Sequence, residues 1–145
     1  MKTKAVSCGV IVTDGYKLLL GHATRSPRWD IPKGIADPGE SHVIAAQREL
    51  REETSLTIEI TDLRSIGLLP YQPAKDLALF AASLPHLPDP ATLVCTSLFS
   101  WKGTMLPEFD RFGLFSLDEA VTRVGKAMAQ ILGGISLQAL CETSR

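Results

Sequence analysis

Hydrophobic and polar positions change their spacing several times along this chain, and each change marks an element. Small and β-branched apolar residues dominate Ala5 to Thr13, and Tyr16 to Gly21 resumes the same pattern. Short apolar runs bounded by turn residues read as strands, and Asp14-Gly15 between them is a strong two-residue hairpin signal, so the chain is expected to open with a hairpin. Pro27, Pro32, Pro38 and Gly39 then break regular structure, which leaves loop and short strand from Ala23 to Glu40. Beyond Ser41, a residue suited to capping a helix, Val43, Ala46 and Leu50 recur at i, i+3 and i+7. That spacing predicts a helix from about Ser41 to Thr54 with one buried stripe.

Leu56 to Leu69 and Leu77 to Leu84 read as strands, separated by a turn carrying Pro70 and Pro73, and Pro85 to Pro90 as a proline-punctuated loop. The apolar run Leu93 to Trp101 fits a short buried strand or a helix equally, because periodicity does not separate the two at this length. Gly113 to Phe115 reads as a last short strand. Ser116 followed by Glu119 is a capping box, and Leu117, Val121, Val124, Met128 and Ile131 form the packing stripe of a final helix stopped by Gly133-Gly134.

Composition narrows the class. With 145 residues and no Gly/Ser-rich linker, repeat or low-complexity tract, residues 1–145 are expected to form one domain. A net charge of −1 gives no basic surface for nucleic acid or membrane, so nucleotide contacts should be local. Cys8, Cys95 and Cys141 are too scattered for a disulfide framework or zinc site, which suits a reducing cytoplasm. Lys2 and Lys4 precede an apolar run that is short, holds Ser7 and lacks a signal-cleavage pattern, and no stretch has the length of a membrane span.

Charge on the first helix changes the picture most. Glu49, Glu52 and Glu53 stand at i, i+3 and i+4 and so share a face, apart from the apolar stripe. Like charges on one face repel unless a cation lies among them, and converging hard oxygen donors suit Mg²⁺ or Mn²⁺. An ion held this way takes further ligands from substrate phosphates, which points to a phosphate or pyrophosphate ester. The plainer alternative is a solvated charged face held by i, i+4 pairs such as Arg48 with Glu52.

Gly34, five residues, Glu40, seven residues, then Arg48-Glu49-Leu50-Arg51-Glu52-Glu53 resembles the signature of the Nudix (MutT-like) hydrolases, with fixed identities at Gly34, Glu40, Arg48, Glu49, Glu52 and Glu53. The resemblance implies a Mg²⁺-dependent pyrophosphohydrolase of α/β class, an α/β/α sandwich with a mixed sheet. It makes Glu52 and Glu53 the firmest metal ligands, Glu49 a further one, Gly34 part of the same metal site, Glu40 an auxiliary and Arg48 the residue that orients a glutamate. Family members take the proton of the attacking water with a glutamate of this box or with one in a loop before the last strand. The catalytic set is therefore Glu52, Glu49 and Arg48 together with Glu108, and Asp110 is a weaker version of Glu108. Ser55 stands where the family has a glycine, a place where the backbone turns with φ > 0 and a serine would be strained.

Substrate choice rests on fewer residues. Pro32-Lys33-Gly34 looks like the dinucleoside polyphosphate and diphosphoinositol branches of the family, and an ammonium there would meet a phosphate beyond the scissile linkage. Arg25 and Arg28 could assist from the preceding loop, and Tyr71, Phe109 or Phe112 could stack on a base, although core packing is the commoner use of such aromatics. The expected partner is thus a small nucleotide, with no nucleic acid and no membrane. A nucleoside diphosphate sugar hydrolase and a nucleotide-sensing Nudix domain without hydrolysis are the alternatives. The number of metals and the oligomeric state, a dimer included, are left open.

Overall fold

The structure is a computed structural model and describes residues 4–142. Along the chain come β1 (Ala5–Thr13), β2 (Leu18–Ala23), β3 (Trp29–Asp30), β4 (Lys33–Ile35), α1 (His42–Thr54), β5 (Leu63–Gln72), β6 (Lys75–Ser83), β7 (Leu98–Trp101), β8 (Thr104–Pro107), β9 (Phe109–Phe115), α2 (Leu117–Val121), α3 (Lys126–Leu132) and α4 (Leu137–Leu140). Seven strands form one sheet in the order β3-β2-β1-β6-β5, with β4 also on β1 and β9 also on β2, while β7 and β8 make a separate hairpin. β1 runs parallel to β6 from end to end and antiparallel to β2 and β4, so the sheet is mixed.

Alternation along β1 explains the layers. Cys8, Val10 and Val12 point to one face, where they join Ala45, Ala46 and Leu50 of α1. Ile11 points to the other and joins Ala120 of α2, Met128 and Leu132 of α3 and Leu137 of α4. A core on each face of one mixed sheet is the α/β/α sandwich expected from the sequence.

Four local expectations need correction. Asp14-Gly15 is not a two-residue turn: the reversal spans residues 14–17, with Thr13 opposite Leu18. The Asp14 carboxylate accepts from the N–H groups of Tyr16 and Lys17, each at 2.9 Å, and this side-chain turn replaces the tighter one. β5 starts at Leu63, not Leu56, and continues through Pro70 to Gln72. Pro70 is tolerated because β5 is an edge strand and the register shifts beside it.

The run 93–101 divides, with β7 beginning at Leu98. Ahead of it an extended segment hangs on the end of α1: Thr96 N–H and Ser97 N–H donate to the Glu52 carbonyl at 2.7 and 3.1 Å, and Val94 N–H donates to the Thr54 carbonyl at 3.3 Å. These bonds satisfy carbonyls that a helix end leaves without partners. Finally, the last predicted helix is interrupted between Val121 and Lys126, because the Arg123 carbonyl turns away to accept from Trp29 N–H of β3 at 2.9 Å. Its stripe still packs as one core layer, and α4 is an addition that the sequence pattern did not reveal.

Candidate active site

Burial of Ala45, Ala46 and Leu50 fixes the rotation of α1, and its two ends fix its position. The Ser41 hydroxyl accepts from Ile44 N–H at 3.4 Å at the start. At the finish Ser55 adopts φ +70, the left-handed conformation anticipated from the missing glycine, and its N–H donates to the Arg51 carbonyl at 2.8 Å.

Held in this way, the acidic residues divide into two settings. Arg48 collects the first group: Nε and Nη2 donate to the two oxygens of Glu40 at 2.9 Å each, and Nη1 reaches Glu49 at 3.0 Å and Glu52 at 3.3 Å. The bidentate Arg48 fork, followed by Asp37 N–H, holds the Glu40 carboxyl down to about 2. Glu49 is raised by burial, with Arg48 opposing the rise. Glu52 keeps 38% of its side chain exposed and is open to solvent.

Glu53 forms the second group. It is only 2% exposed and accepts from Lys33 N–H at 2.9 Å. Burial pushes its carboxyl up to about 10, the Glu108 carboxyl beside it adds to the rise, and the Lys33 N–H opposes it. Glu108 arrives through main-chain bonds. Its N–H donates to Ser97, in the segment hung on α1, at 2.8 Å, and its carbonyl accepts from Thr24 N–H at 3.1 Å. Glu53 and Glu108 line an open cavity of about 310 Å³ with Thr24, Asp30, Lys33, Phe99 and Phe109.

The donors suit a hard divalent cation in kind. Acids surround the cavity and its flank, while burial keeps Glu53 protonated unless a cation accompanies it. Gly34 of β4 also makes room, because a Cβ there would collide with the Glu49 carboxylate. Among the described residues no three Asp, Glu, His or Cys side chains converge ready-made on a point, since Arg48 stands between Glu49 and Glu52. Binding would therefore need Glu49 or Glu52 to turn from the guanidinium. The thiol of Cys8, opposite Gly34 on β1, is pushed up to about 11 by burial and then by Glu40 and Glu49, so it is no nucleophile.

The residues expected to meet substrate are dispersed. Lys33 borders the cavity, but its ammonium binds Asp30 at 3.1 Å and lies 5.6 Å from the Tyr71 ring centroid. Burial tends to lower its pKa, and Asp30, Tyr71 and Glu53 outweigh that effect and raise it. Asp30, three residues before Lys33, was missed by the sequence reading although an i, i+3 pair was in view. Lys33 and Tyr71 also line a neighbouring cavity of about 390 Å³ with Arg28, Trp29 and Lys126. Arg25 does not enter either lining: its guanidinium stacks 3.6 Å from the Trp101 ring centroid at the tip of the β7–β8 hairpin. Asp110 is engaged by His22, with Oδ1 2.7 Å from Nδ1, and lines a different cavity, so the structure separates it from Glu53. Phe109 is a buried core residue that walls the carboxylate cavity, and Phe112 packs edge-on against it at 5.9 Å.

A family model described as the NUDIX domain matches residues 1–132. An RNA pyrophosphohydrolase of Erythrobacter litoralis (strain HTCC2594) is 43% identical over 49 residues, 34% of this chain and 29% of that protein. The chain's matches thus span under a third of the length of the curated relatives it resembles. Among solved structures, a C. elegans Ap4A hydrolase binary complex aligns with a TM-score of 0.62 at 24% identity, covering 88% of this chain and 92% of that one. A MutT protein from Methanosarcina mazei Go1 aligns with a TM-score of 0.67 at 17% identity over 91% and 92% of the two chains. At such identities the structural likeness speaks for the fold.

Proposed function

The chain belongs to the Nudix family, and from that membership we propose that it hydrolyses a pyrophosphate linkage in a nucleoside diphosphate-linked compound, with a dinucleoside polyphosphate or similarly phosphate-rich nucleotide as substrate. One observation carries the reading: Glu53, Glu108 and Lys33 line a single cavity while Arg48 holds Glu49 and Glu52 on its flank. Glu49, Glu52, Glu53 and the Gly34 backbone would hold Mg²⁺, or Mn²⁺, which when bound neutralises phosphate charge and acidifies water. The protein's own contributions are to position and to accept a proton. Arg48 orients Glu49 and Glu52 through Nη1. Glu108, set beside Glu53 by main-chain bonds to Ser97 and Thr24, is the group proposed to take the proton of the attacking water.

Support for a long phosphate chain comes from the second cavity. It adjoins the first across Ala23, Asp30 and Lys33 and adds Arg28 and Lys126, so cationic groups continue beyond the carboxylates. Similar proteins include an RNA pyrophosphohydrolase and an Ap4A hydrolase, names that point to phosphate-rich substrates. A small nucleotide in the cytoplasm is the favoured partner here, and no helix among the described residues is long and apolar enough to cross a membrane.

The test is a panel of dinucleoside polyphosphates, nucleoside diphosphate sugars and nucleoside triphosphates with and without Mg²⁺. Turnover that needs the metal and is fastest on dinucleoside polyphosphates is expected, and Lys33→Ala should cost these about ten- to a hundredfold in kcat/KM and diphosphate sugars less. Equal losses on both types would remove the polyphosphate preference, and nucleotide binding without hydrolysis would make the domain a sensor.

A further inference from the structure

Strands β2 and β9 fall out of register by one residue beside the carboxylate cavity. His22 lies opposite Arg111 and Ala23 opposite Phe109, so Asp110 is an extra residue with no partner on β2. The aromatic rings around it show what this bulge does. Phe109 and Phe112 are three residues apart, which in a regular strand would put them on opposite faces, yet their rings pack edge-on with centroids 5.9 Å apart. The bulge thus turns Phe109 back to the face of Phe112, where its ring covers Gly21, at which a Cβ would collide with it, and walls the cavity. Glu108 comes immediately before, and its carbonyl accepts from Thr24 N–H at 3.1 Å, one residue further along the same pair of strands.

One side chain fastens the extra residue. Asp110 Oδ1 is 2.7 Å from Nδ1 of His22, a residue only 8% exposed whose ring packs edge-on against Trp29 at 5.2 Å, so the imidazole is a fixed anchor. Arg111 reaches the same oxygen only at 3.5 Å and from an exposed position, a weaker tie. Neither His22 nor Asp110 lines the carboxylate cavity, so the pair acts on it through the backbone. We infer that His22 and Asp110 are positioning residues whose hydrogen bond locks the β9 bulge and thereby holds Glu108 beside Glu53, an inference that rests on the hydrolase reading above. Released, the extra residue can exchange places with its neighbour, and a slip of one residue sends a strand side chain to the other face. Phe109 would then leave the cavity wall, and Glu108, next to it in the chain, would no longer be held to one direction.

Parent, Asp110→Ala, Asp110→Asn, Glu108→Gln and the double variant Glu108→Gln/Asp110→Ala are compared with Mg²⁺ on whichever substrate of the panel the parent cleaves fastest, with kcat, KM and melting temperature read for each. Asp110→Ala is expected to lower kcat roughly 10- to 100-fold, the scale for a misplaced reacting group, with KM within about twofold. Asp110→Asn, whose amide can still hydrogen-bond to Nδ1, should keep most of the rate. Glu108→Gln should itself be roughly 10²- to 10⁴-fold slower, and adding Asp110→Ala to it should cost less than about twofold more, because a group that can no longer accept a proton gains nothing from being aimed. A bond that merely stabilised the fold would act independently of Glu108, so the two losses would multiply. Multiplied losses in the double variant therefore overturn the assignment. So do an Asp110→Ala with kcat near the parent's, one that raises KM alone or one that no longer folds at the assay temperature, and an Asp110→Asn as slow as Asp110→Ala. A parent inactive on the whole panel overturns the hydrolase reading, and a Glu108→Gln as fast as the parent overturns Glu108 as the base; either takes this inference with it. An active parent and a slow Glu108→Gln beside an indifferent Asp110→Ala overturn this inference alone.

Discussion

On the outer flank of α1, Glu40, Glu49 and Glu52 share the guanidinium of Arg48; on the inner flank, one residue further along, Glu53 turns into a cavity beside Glu108 and receives only the Lys33 N–H. The first region carries its own cation. There the Arg48 guanidinium holds Glu40 down to about 2. In the second the Lys33 ammonium is bound to Asp30, and burial and the neighbouring carboxyl keep Glu53 protonated up to about 10. The difference teaches where an external ion has most to gain: at the inner acid, which added positive charge will ionise, with Glu49 and Glu52 within reach on the same helix.

Removing charge from the reachable acid should have the largest effect. Glu52→Gln keeps size and hydrogen bonding but loses the charge, so kcat is expected to fall roughly 10²- to 10³-fold while the fold persists by circular dichroism. Activity within a few fold of the parent would mean that the outer region is a structural ion-pair cluster and no more.

The inner acid gives a sign as well as a size. Its folded-state pKa of about 10 lies above the ordinary 4.5, so the folded protein holds a proton that the unfolded chain releases. The stability this contributes is complete below about pH 4.5 and is lost as pH rises through about 10, so without metal the melting temperature should decline between about pH 6 and about pH 9. Mg²⁺ should flatten that decline by ionising Glu53, and at a hundredfold excess over its Kd it should add about 2.7 kcal/mol. Glu53→Gln should remove both the decline and the metal's benefit. Melting curves unaffected by metal at concentrations that support turnover would break the contrast between the two regions.

Arg48→Lys probes the outer region more gently. A lysine supplies one point charge where the guanidinium reaches Glu40, Glu49 and Glu52 together. Stability should drop by about 1–2 kcal/mol, the scale of a lost charge-assisted hydrogen bond, as read by denaturant unfolding, and turnover by about tenfold. A loss in turnover alone would move Arg48 from positioning the acids to touching the substrate.

Much of this contrast was legible in the sequence, and the rest was hidden for physical reasons. Period 3.6 along α1 showed which residues share the helix and which side packs, and the strand runs and capping box gave the sandwich its layers. The same period also places Glu53 three residues after Leu50 and seven after Ala46, at the edge of the packing stripe, which agrees with its burial, whereas its neighbours Lys33 and Glu108 come from distant parts of the chain that the helix pattern does not show. Glu108 was readable as a candidate from its place before the last strand. Arg25 misled, since no local pattern pairs it with Trp101, 76 positions along the chain. The hairpin turn and the final helix failed where side chains or carbonyls made long-range or capping bonds that outcompete local preference.

The smallest effect expected is at Ser55, and it tests how rigidly the helix end presents both regions. At φ +70 a serine sits in the left-handed conformation, at a cost of order 1 kcal/mol that glycine avoids. Its hydroxyl bonds to the Thr54 carbonyl and accepts from Val94 N–H at 3.3 Å, in the segment that carries the chain on to Glu108. Ser55→Gly relieves the strain but loses this link and adds freedom to the unfolded chain, so a net gain of at most about 1 kcal/mol is expected. Ser55→Ala keeps the strain and loses the link, and so should be less stable than the parent. If neither variant changes kcat, the clamp of Thr96 and Ser97 on the Glu52 carbonyl holds the helix end by itself. If Ser55→Gly gains stability yet lowers kcat, the hydroxyl link to Val94 is what keeps Glu108 in register with Glu53, and the two regions are coupled through the end of α1.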